Sequence, residues 1–264
     1  MSISKRYLEA KRTVDDRALN GRVSARLCVE LEARDAPSLV EVGAGIGIGL
    51  ERYLELGFPA PRDYTAVDES ASFLEIAALR LQDRVRSRFI ASTLEDFASD
   101  PSEQGRFDLV LAHAFLDIVE LGPSLQALIG LARPGGLLYF PITFDGETIF
   151  EPAHASDDEV LERYHETIGS ARGSSKTGRR LFHALASHPV EVLEIGSSDW
   201  IVHPTEGRYP AEEAFFLGHI LEMIEGAVGG EVATDWASAR RRELEKGRLL
   251  YIAHQVDYLV RKRD

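Results

Sequence analysis

The chain has 264 residues, 44% of them hydrophobic, a formal charge of -13 at neutral pH and a single cysteine. That length is enough for one large domain or two small ones, with a sizeable core. The acidic balance argues against a nucleic-acid partner, which would draw on a basic face and counterion release, and a lone thiol excludes an internal disulfide and any multi-cysteine metal site. The opening "MSISKRYLEAKR" is charged and lacks an apolar h-region, and later apolar runs are interrupted by Asp108, Asp117 and Arg133. These features predict no signal peptide, no membrane span, no metal and a cytoplasmic location.

The first element, "RYLEAKRTVDDRALNGRV", has helical spacing. It predicts an amphipathic helix packing through Leu8, Val14 and Leu19, with Tyr7, Lys11, Arg12, Arg17 and Asn20 as its conspicuous polar members. In "SARLCVELEA", Cys28 reads as a buried helix position rather than a nucleophile. The strand-like runs "SLVEV", "DYTAV", "RFIAS", "FDLVLA" and "GGLLYFPI" then alternate with helical patterns such as "ASFLEIAALRL", where Phe73, Ile76, Ala77 and Leu81 share one face. This rhythm predicts a parallel α/β sheet. It loosens over residues 143 to 175, which include the Gly/Ser-rich loop "GSARGSSKTG". It then resumes as the helix "KTGRRLFHALASH", the strand "VEVLEIGSS", a long helical region from Ala211 to about Ala253, and a last strand, "QVDYLVRK". Seven strands result. The basic run "ARRRELEKGR" reads as a solvated helix face, and no repeat or residue pattern speaks to oligomeric state.

Directly after the first strand stands "GAGIGIG". In an open parallel sheet ligands sit beyond the carboxyl ends of the strands, and a glycine-rich turn lets the backbone approach a ligand with no Cβ in the way. Gly43, Gly45 and Gly47 fit that task. The dinucleotide fingerprint G-x-G-x-x-G would need a further glycine at 48 or 50, where Ile48 and Leu50 stand. A nicotinamide-dependent oxidoreductase is therefore disfavoured.

The pattern E-x-G-x-G-x-G beginning at Glu41 resembles the first motif of class I S-adenosylmethionine-dependent methyltransferases. The resemblance continues through Asp68 in "TAVDES", through "ASTLEDF", "FDLVLAHAFLD" and "LARPGGLLYF". It implies a single domain over residues 1–264 with a Rossmann-like, mostly parallel seven-stranded sheet, an antiparallel last strand and helices on both faces. Residues 1–36 would form cap helices and 37–142 the cofactor-binding core, with substrate-covering insertions at 143–175 and 198–230 of the remaining part. It implies S-adenosyl-L-methionine as cofactor and a small-molecule methyl acceptor, methylated on oxygen or nitrogen. A nonenzymatic protein that only binds the cofactor would share these motifs.

Carried over residue by residue, the resemblance assigns Glu41, Gly43, Ala44 and Gly45 to the cofactor turn and Asp68 to both ribose hydroxyls, a bidentate acceptor matched to a vicinal diol. Glu69 and Ser70 would contact adenine, or Ser70 would cap the next helix. Thr93 stands where the family often has an acid near the adenine amino group, so the backbone of Leu94 and the side chain of Glu95 would take over that contact. His113, Ala114 and Phe115 would line the methionine end, with His113 either a base or a packed histidine. His154 is a second candidate for the catalytic base. Acceptor contacts are expected from Tyr7, Arg12, Tyr164, Trp200 and His203, and Arg12 or Arg17 would pair with the cofactor carboxylate or with Asp117. The "SDDE" capping box of Ser156 and Glu159 would start the helix covering the substrate. In-line methyl transfer asks mainly for positioning, and a base only where the acceptor must lose a proton.

Overall fold

The computed structural model describes residues 4–170 and 173–264. Residues 1–3 of the expected N-terminal cap, and Ala171 and Arg172 of the Gly/Ser-rich loop, lie outside the described residues. In chain order the elements are α1 (Lys5–Ala18), α2 (Gly21–Glu32), β1 (Ser38–Val42), α3 (Ile48–Glu55), β2 (Asp63–Asp68), α4 (Ala71–Arg80), β3 (Ser87–Ala91), α5 (Leu94–Ser99), β4 (Phe107–Leu111), α6 (Leu121–Leu131), β5 (Ala132–Glu151), α7 (Asp157–Ser170), α8 (Thr177–Leu185), β6 (Val190–Ser197), β7 (Trp200–Val202), α9 (Glu213–Val228), α10 (Gly230–Glu245) and β8 (Leu250–Lys262). A short 3-10 turn, Leu116–Ile118, stands between β4 and α6.

The strands form one sheet in the order β3-β2-β1-β4-β5-β8-β6, with β7 also paired to β8. β1 to β5 run parallel, and β8 pairs antiparallel with β5, β6 and β7. The antiparallel last strand is as the family resemblance implied. The sheet nevertheless has eight strands where seven were expected. The loop expected after the sixth strand contains Trp200–Val202, which pairs with Ala253, Ile252 and Tyr251 and so continues the edge that β6 begins. Likewise β5 does not stop near Ile142. It runs on to Glu151, and Thr143–Glu151 pairs with the first half of β8. The expected lid at 143–175 is thus sheet in its first part. The long helix foreseen to Ala253 is instead α9 and α10, broken at Gly229 and Gly230, with Leu250–Ala253 already in β8.

Alternation along the central strands feeds opposite cores. Val40 and Val42 pack with Leu94, Leu125 and Leu181 on one face, while Leu39 packs with Leu27, Leu50 and Leu74 on the other. A third core gathers α1, α7, α9 and α10 over the extended ends of β5 and β8 through residues such as Val14, Phe150, Val160, Phe216 and Trp236. The basic run on α10 departs from a solvated face: Arg240 is 2% exposed, pairs with Asp157 and donates to Pro152 O. Asp157 also accepts from Trp236 Nε1 (2.8 Å) and from His154 N (2.7 Å), so this carboxylate fixes the start of α7 where a Ser156–Glu159 box was expected. Cys28 is half-buried rather than buried, with Sγ 3.7 Å from Glu32 Oε1. No described helix is long and apolar enough to cross a membrane.

Candidate cofactor and acceptor site

A cavity of about 1030 Å³ lies beyond the carboxyl ends of β1, β2 and β4, roofed by the third core. Its size is at the upper end for one drug-sized ligand, which leaves room for a cofactor and a second molecule.

The glycine turn forms one wall. Gly43 N and Ala44 N both donate to Val67 O (2.9 and 3.1 Å), tying the turn to the end of β2. Gly45 N donates to Asp68 Oδ2 at 2.8 Å, and Ser70 N donates to Asp68 Oδ1 at 2.8 Å. Each carboxylate oxygen has two lone pairs, so Asp68 keeps acceptor capacity at the cavity wall. Gly45 has φ +52°, and a Cβ there would meet only Leu8 Cδ1, at 3.5 Å. That bare face is turned toward the cavity, whereas Gly47 packs on Ala77 and does not line it.

Gly49, to which the sequence reading gave no task, has a definite one. A Cβ on it would lie 1.8 Å from Glu41 Oε1, so its bareness makes room for that carboxyl. Glu41 is buried and accepts from Tyr64 OH at 2.6 Å. Burial pushes its pKa up to about 7, against the opposing pull of the Tyr64 hydroxyl.

A charged cluster forms the floor of the roof helix. Asp15 on α1 accepts from Trp200 Nε1 (2.9 Å), contacts His113 Nε2 (3.0 Å), and pairs with Lys11 Nζ (3.4 Å) and Arg52 Nη2 (3.7 Å). Burial alone would raise its carboxyl, but Lys11, His113 and Arg52 outweigh that and hold it well below the usual range. His113 sits between Asp15 and Arg52, whose Nη1 is 3.4 Å from Nδ1. Burial lowers its pKa to about 4 against the attraction of Asp15, so the ring is neutral at pH 7. An Arg donor at Nδ1 and a carboxylate at Nε2 fix the tautomer with the proton on Nε2. Both nitrogens of this candidate base face protein partners, which gives His113 the geometry of a packed, orienting ring.

Of the residues singled out in the sequence, Tyr7, Glu41, Gly43, Ala44, Gly45, Asp68, Glu69, Leu94, Glu95, His113, Ala114, Tyr164 and Trp200 line this one cavity. Six others stand outside it. Ser70 Oγ accepts from Phe73 N and caps α4, and Thr93 Oγ1 accepts from Asp96 N and caps α5. Arg12 is held by Glu51 and Glu55 (both 2.6 Å), His154 Nδ1 accepts from Ser156 N, and His203 is exposed beside Pro204 O. Arg17 is likewise taken by Glu213. Lys11 and Arg52 reach the cavity instead. Among the described residues Arg52 Nη2 is buried with no hydrogen-bond partner, Asp15 Oδ2 standing 3.7 Å away, and it is a donor suited to a carboxylate. The sequence reading also missed Asp15, Phe144, Met223 and Tyr251. They carry no local signal, because each sits in an ordinary helix or strand pattern and meets the others only through the fold.

Residues 40–138, less than half of the chain, match the sequence model of a methyltransferase domain. No curated protein matches the chain. Among solved structures, a provisional methyltransferase from Bacillus halodurans is similar with a TM-score of 0.60 at 12% identity, covering 93% of this chain and 100% of its own. The YcgJ protein of Bacillus subtilis gives 0.56 at 12% identity with the same coverage, 93% and 100%. The [4+2]-cyclase SpnF gives 0.52 at 20% identity, covering 92% of this chain and 80% of its own. Residues 40–138 are thus similar to a methyltransferase domain, on a fold that these solved structures share.

Proposed function

We propose that this protein binds S-adenosylmethionine and transfers its methyl group to a small-molecule acceptor enclosed in the same cavity. The carrying observation is the 2.8 Å bond between Gly45 N and Asp68 Oδ2. It sets a bare backbone turn and an acidic strand end side by side on the wall of a cavity large enough for two ligands. The residues present fit the cofactor: an open glycine face, a carboxylate with spare acceptor capacity for a diol, and a buried guanidinium nitrogen and Lys11 for a carboxylate. Leu94, Glu95 and Phe73 line the part of the wall beyond Asp68, where an adenine ring would rest.

When bound, the cofactor supplies an activated methyl group on a sulfonium. The protein's share is positioning and exclusion of water. Asp68 holds the turn through Gly45 and Ser70, Asp15 locks α1 to Arg52, His113 and Trp200, and the third core closes the roof. A fold of this kind also serves a protein named as a cyclase, so fold alone does not assign the reaction. The test is transfer of label from S-adenosylmethionine across an unbiased panel of small metabolites, read as S-adenosylhomocysteine release. Transfer to one acceptor supports the reading. Tight S-adenosylhomocysteine binding with no transfer to any acceptor favours the nonenzymatic alternative.

A further inference from the structure

Beyond the glycine turn, the cavity continues into a corner whose lining is almost wholly apolar or aromatic: Tyr7, Phe144, Tyr164, Ile220, Met223 and Tyr251. Three of these are tyrosines, from α1, α7 and β8. Asp15 and Asp117 both act on Tyr7 in that wall, and of the two Asp15 is already paired with Lys11, His113 and Arg52. Asp117, on the 3-10 turn after β4, lines the cavity, and its Oδ1 is buried without a hydrogen-bond partner among the described residues. A buried unpaired carboxyl oxygen is costly to keep and is a feature that calls for a ligand.

The geometry points to Asp117 as the group that takes the proton from a weakly acidic hydroxyl on the methyl acceptor, an otherwise apolar molecule seated among Tyr7, Phe144, Tyr164 and Tyr251. This rests on the methyltransferase reading above. Lys11 and Tyr7 face Asp117 from α1 and Tyr164 faces it from α7. The backbone of Phe144 on β5 adds a hydrogen-bonding contact to the carboxyl, while Ser174 N, before α8, donates to the main-chain carbonyl of Asp117 at 3.0 Å and so holds the turn. Burial raises the carboxyl's pKa to about 6, only partly offset by its own backbone amide, Lys11 and the backbone of Phe144. A base with that affinity is unprotonated at neutral pH yet strong enough to accept a proton near it.

A hydroxyl is favoured over an amine by its proton count. An alkylammonium has no lone pair for the methyl carbon until it has lost a proton, whereas a phenol or enol enters neutral with a nucleophilic oxygen and one proton to give. In the transfer an O–C bond forms to the methyl carbon and the methyl C–S bond breaks with its electron pair passing to sulfur. The hydroxyl proton moves to the Asp117 carboxylate and from there to solvent, so the step balances without a further reactant.

The test compares wild type, Asp117→Asn and Asp117→Glu in three measurements: calorimetric affinity for S-adenosylhomocysteine, thermal midpoint at pH 5 and pH 8, and label transfer to a panel of phenols and enols matched by the corresponding amines. Expected are unchanged S-adenosylhomocysteine affinity in all three proteins and a thermal midpoint for Asp117→Asn equal to or above wild type at pH 8. Wild type should methylate hydroxyl but not amine probes, with activity falling below about pH 6. In Asp117→Asn, kcat/KM should fall by roughly a hundredfold or more, the scale of a lost general base, with part of it restored in Asp117→Glu. Transfer to amines only, no transfer to either panel despite intact S-adenosylhomocysteine binding, full activity in Asp117→Asn, or a large loss of its thermal midpoint would each overturn the assignment. Failure of wild type to bind S-adenosylhomocysteine would instead overturn the methyltransferase reading beneath it.

Discussion

The two ends of the cavity are built in opposite ways. The end beneath Gly45 and Asp68 is made of backbone and short-range contacts: three amides of one turn donate to Val67 O and Asp68, and capping hydroxyls of Ser70 and Thr93 start the next helices. The end beneath α1 and α7 is made of side chains brought from widely separated segments, Tyr7, Asp117, Phe144, Tyr164, Trp200 and Tyr251. A backbone-built site tolerates little change at its glycines but varies freely around them. A side-chain-built pocket can be reshaped one residue at a time while the sheet below stays the same.

The sharpest way to break this contrast is at the turn. Gly45→Val places two branches on the open cavity face, and its φ of +52° adds strain of about 1–2 kcal/mol. S-adenosylhomocysteine binding should be lost while circular dichroism stays native. Gly49→Ala should do the reverse, since its Cβ would meet Glu41 Oε1 at 1.8 Å inside the protein. There the thermal midpoint should fall first. If both variants lose only binding, the division of labour between the two glycines is wrong.

A smaller effect is expected at Asp68. Removing a carboxylate that anchors Gly45 N and Ser70 N and faces the ligand should weaken S-adenosylhomocysteine binding by about 1.5–3 kcal/mol, measured by calorimetry. At the other end, Tyr164→Phe should leave that affinity unchanged and lower kcat/KM for the acceptor about tenfold, roughly 1.4 kcal/mol. His154→Ala and His203→Ala serve as controls. Both residues stand outside the cavity, so kinetics with either variant should match wild type.

This difference in construction also explains what could be read from the sequence. β1 begins and ends at the residues expected, Ser38 and Val42, because a continuous apolar run followed by a glycine turn admits few other structures. Asp68 and Gly45 could each be assigned to one ligand site because both stand in stretches that resemble the family's motifs, one at a strand end and one in the turn after a strand. At the acceptor end the reading reached Tyr7, Tyr164 and Trp200 by their type and location, but placed His154, His203 and Arg12 there as well. Those three are drawn off by near neighbours: Ser156 and Asp157, Pro204, and Glu51 with Glu55. Nothing in the local pattern of α1 shows that Asp15 rather than Arg12 faces inward to meet Arg52, since that depends on how α1 docks on α3. The extension of β5 was hidden for a related reason, its partner being the far end of the chain in β8.

The smallest expected effect concerns pH. The Glu41 carboxyl titrates near 4.5 when unfolded and is held at about 7 when folded, so the native state keeps its proton longer. Its contribution to stability is full below pH 4.5 and is lost as pH rises through 7. Glu41→Gln keeps an acceptor for Tyr64 OH without that charge, and should flatten the fall in thermal midpoint between pH 5 and pH 8. A slope as steep as in wild type would place the titrating group elsewhere.

The central claim is that the glycine turn and Asp68 form a site for S-adenosylmethionine rather than for a nicotinamide dinucleotide. Calorimetric titration of the wild-type protein with S-adenosylhomocysteine and, separately, with NAD tests it most directly. One-to-one binding of S-adenosylhomocysteine and no measurable heat with NAD are expected; binding of NAD, or no binding of S-adenosylhomocysteine, would contradict the assignment.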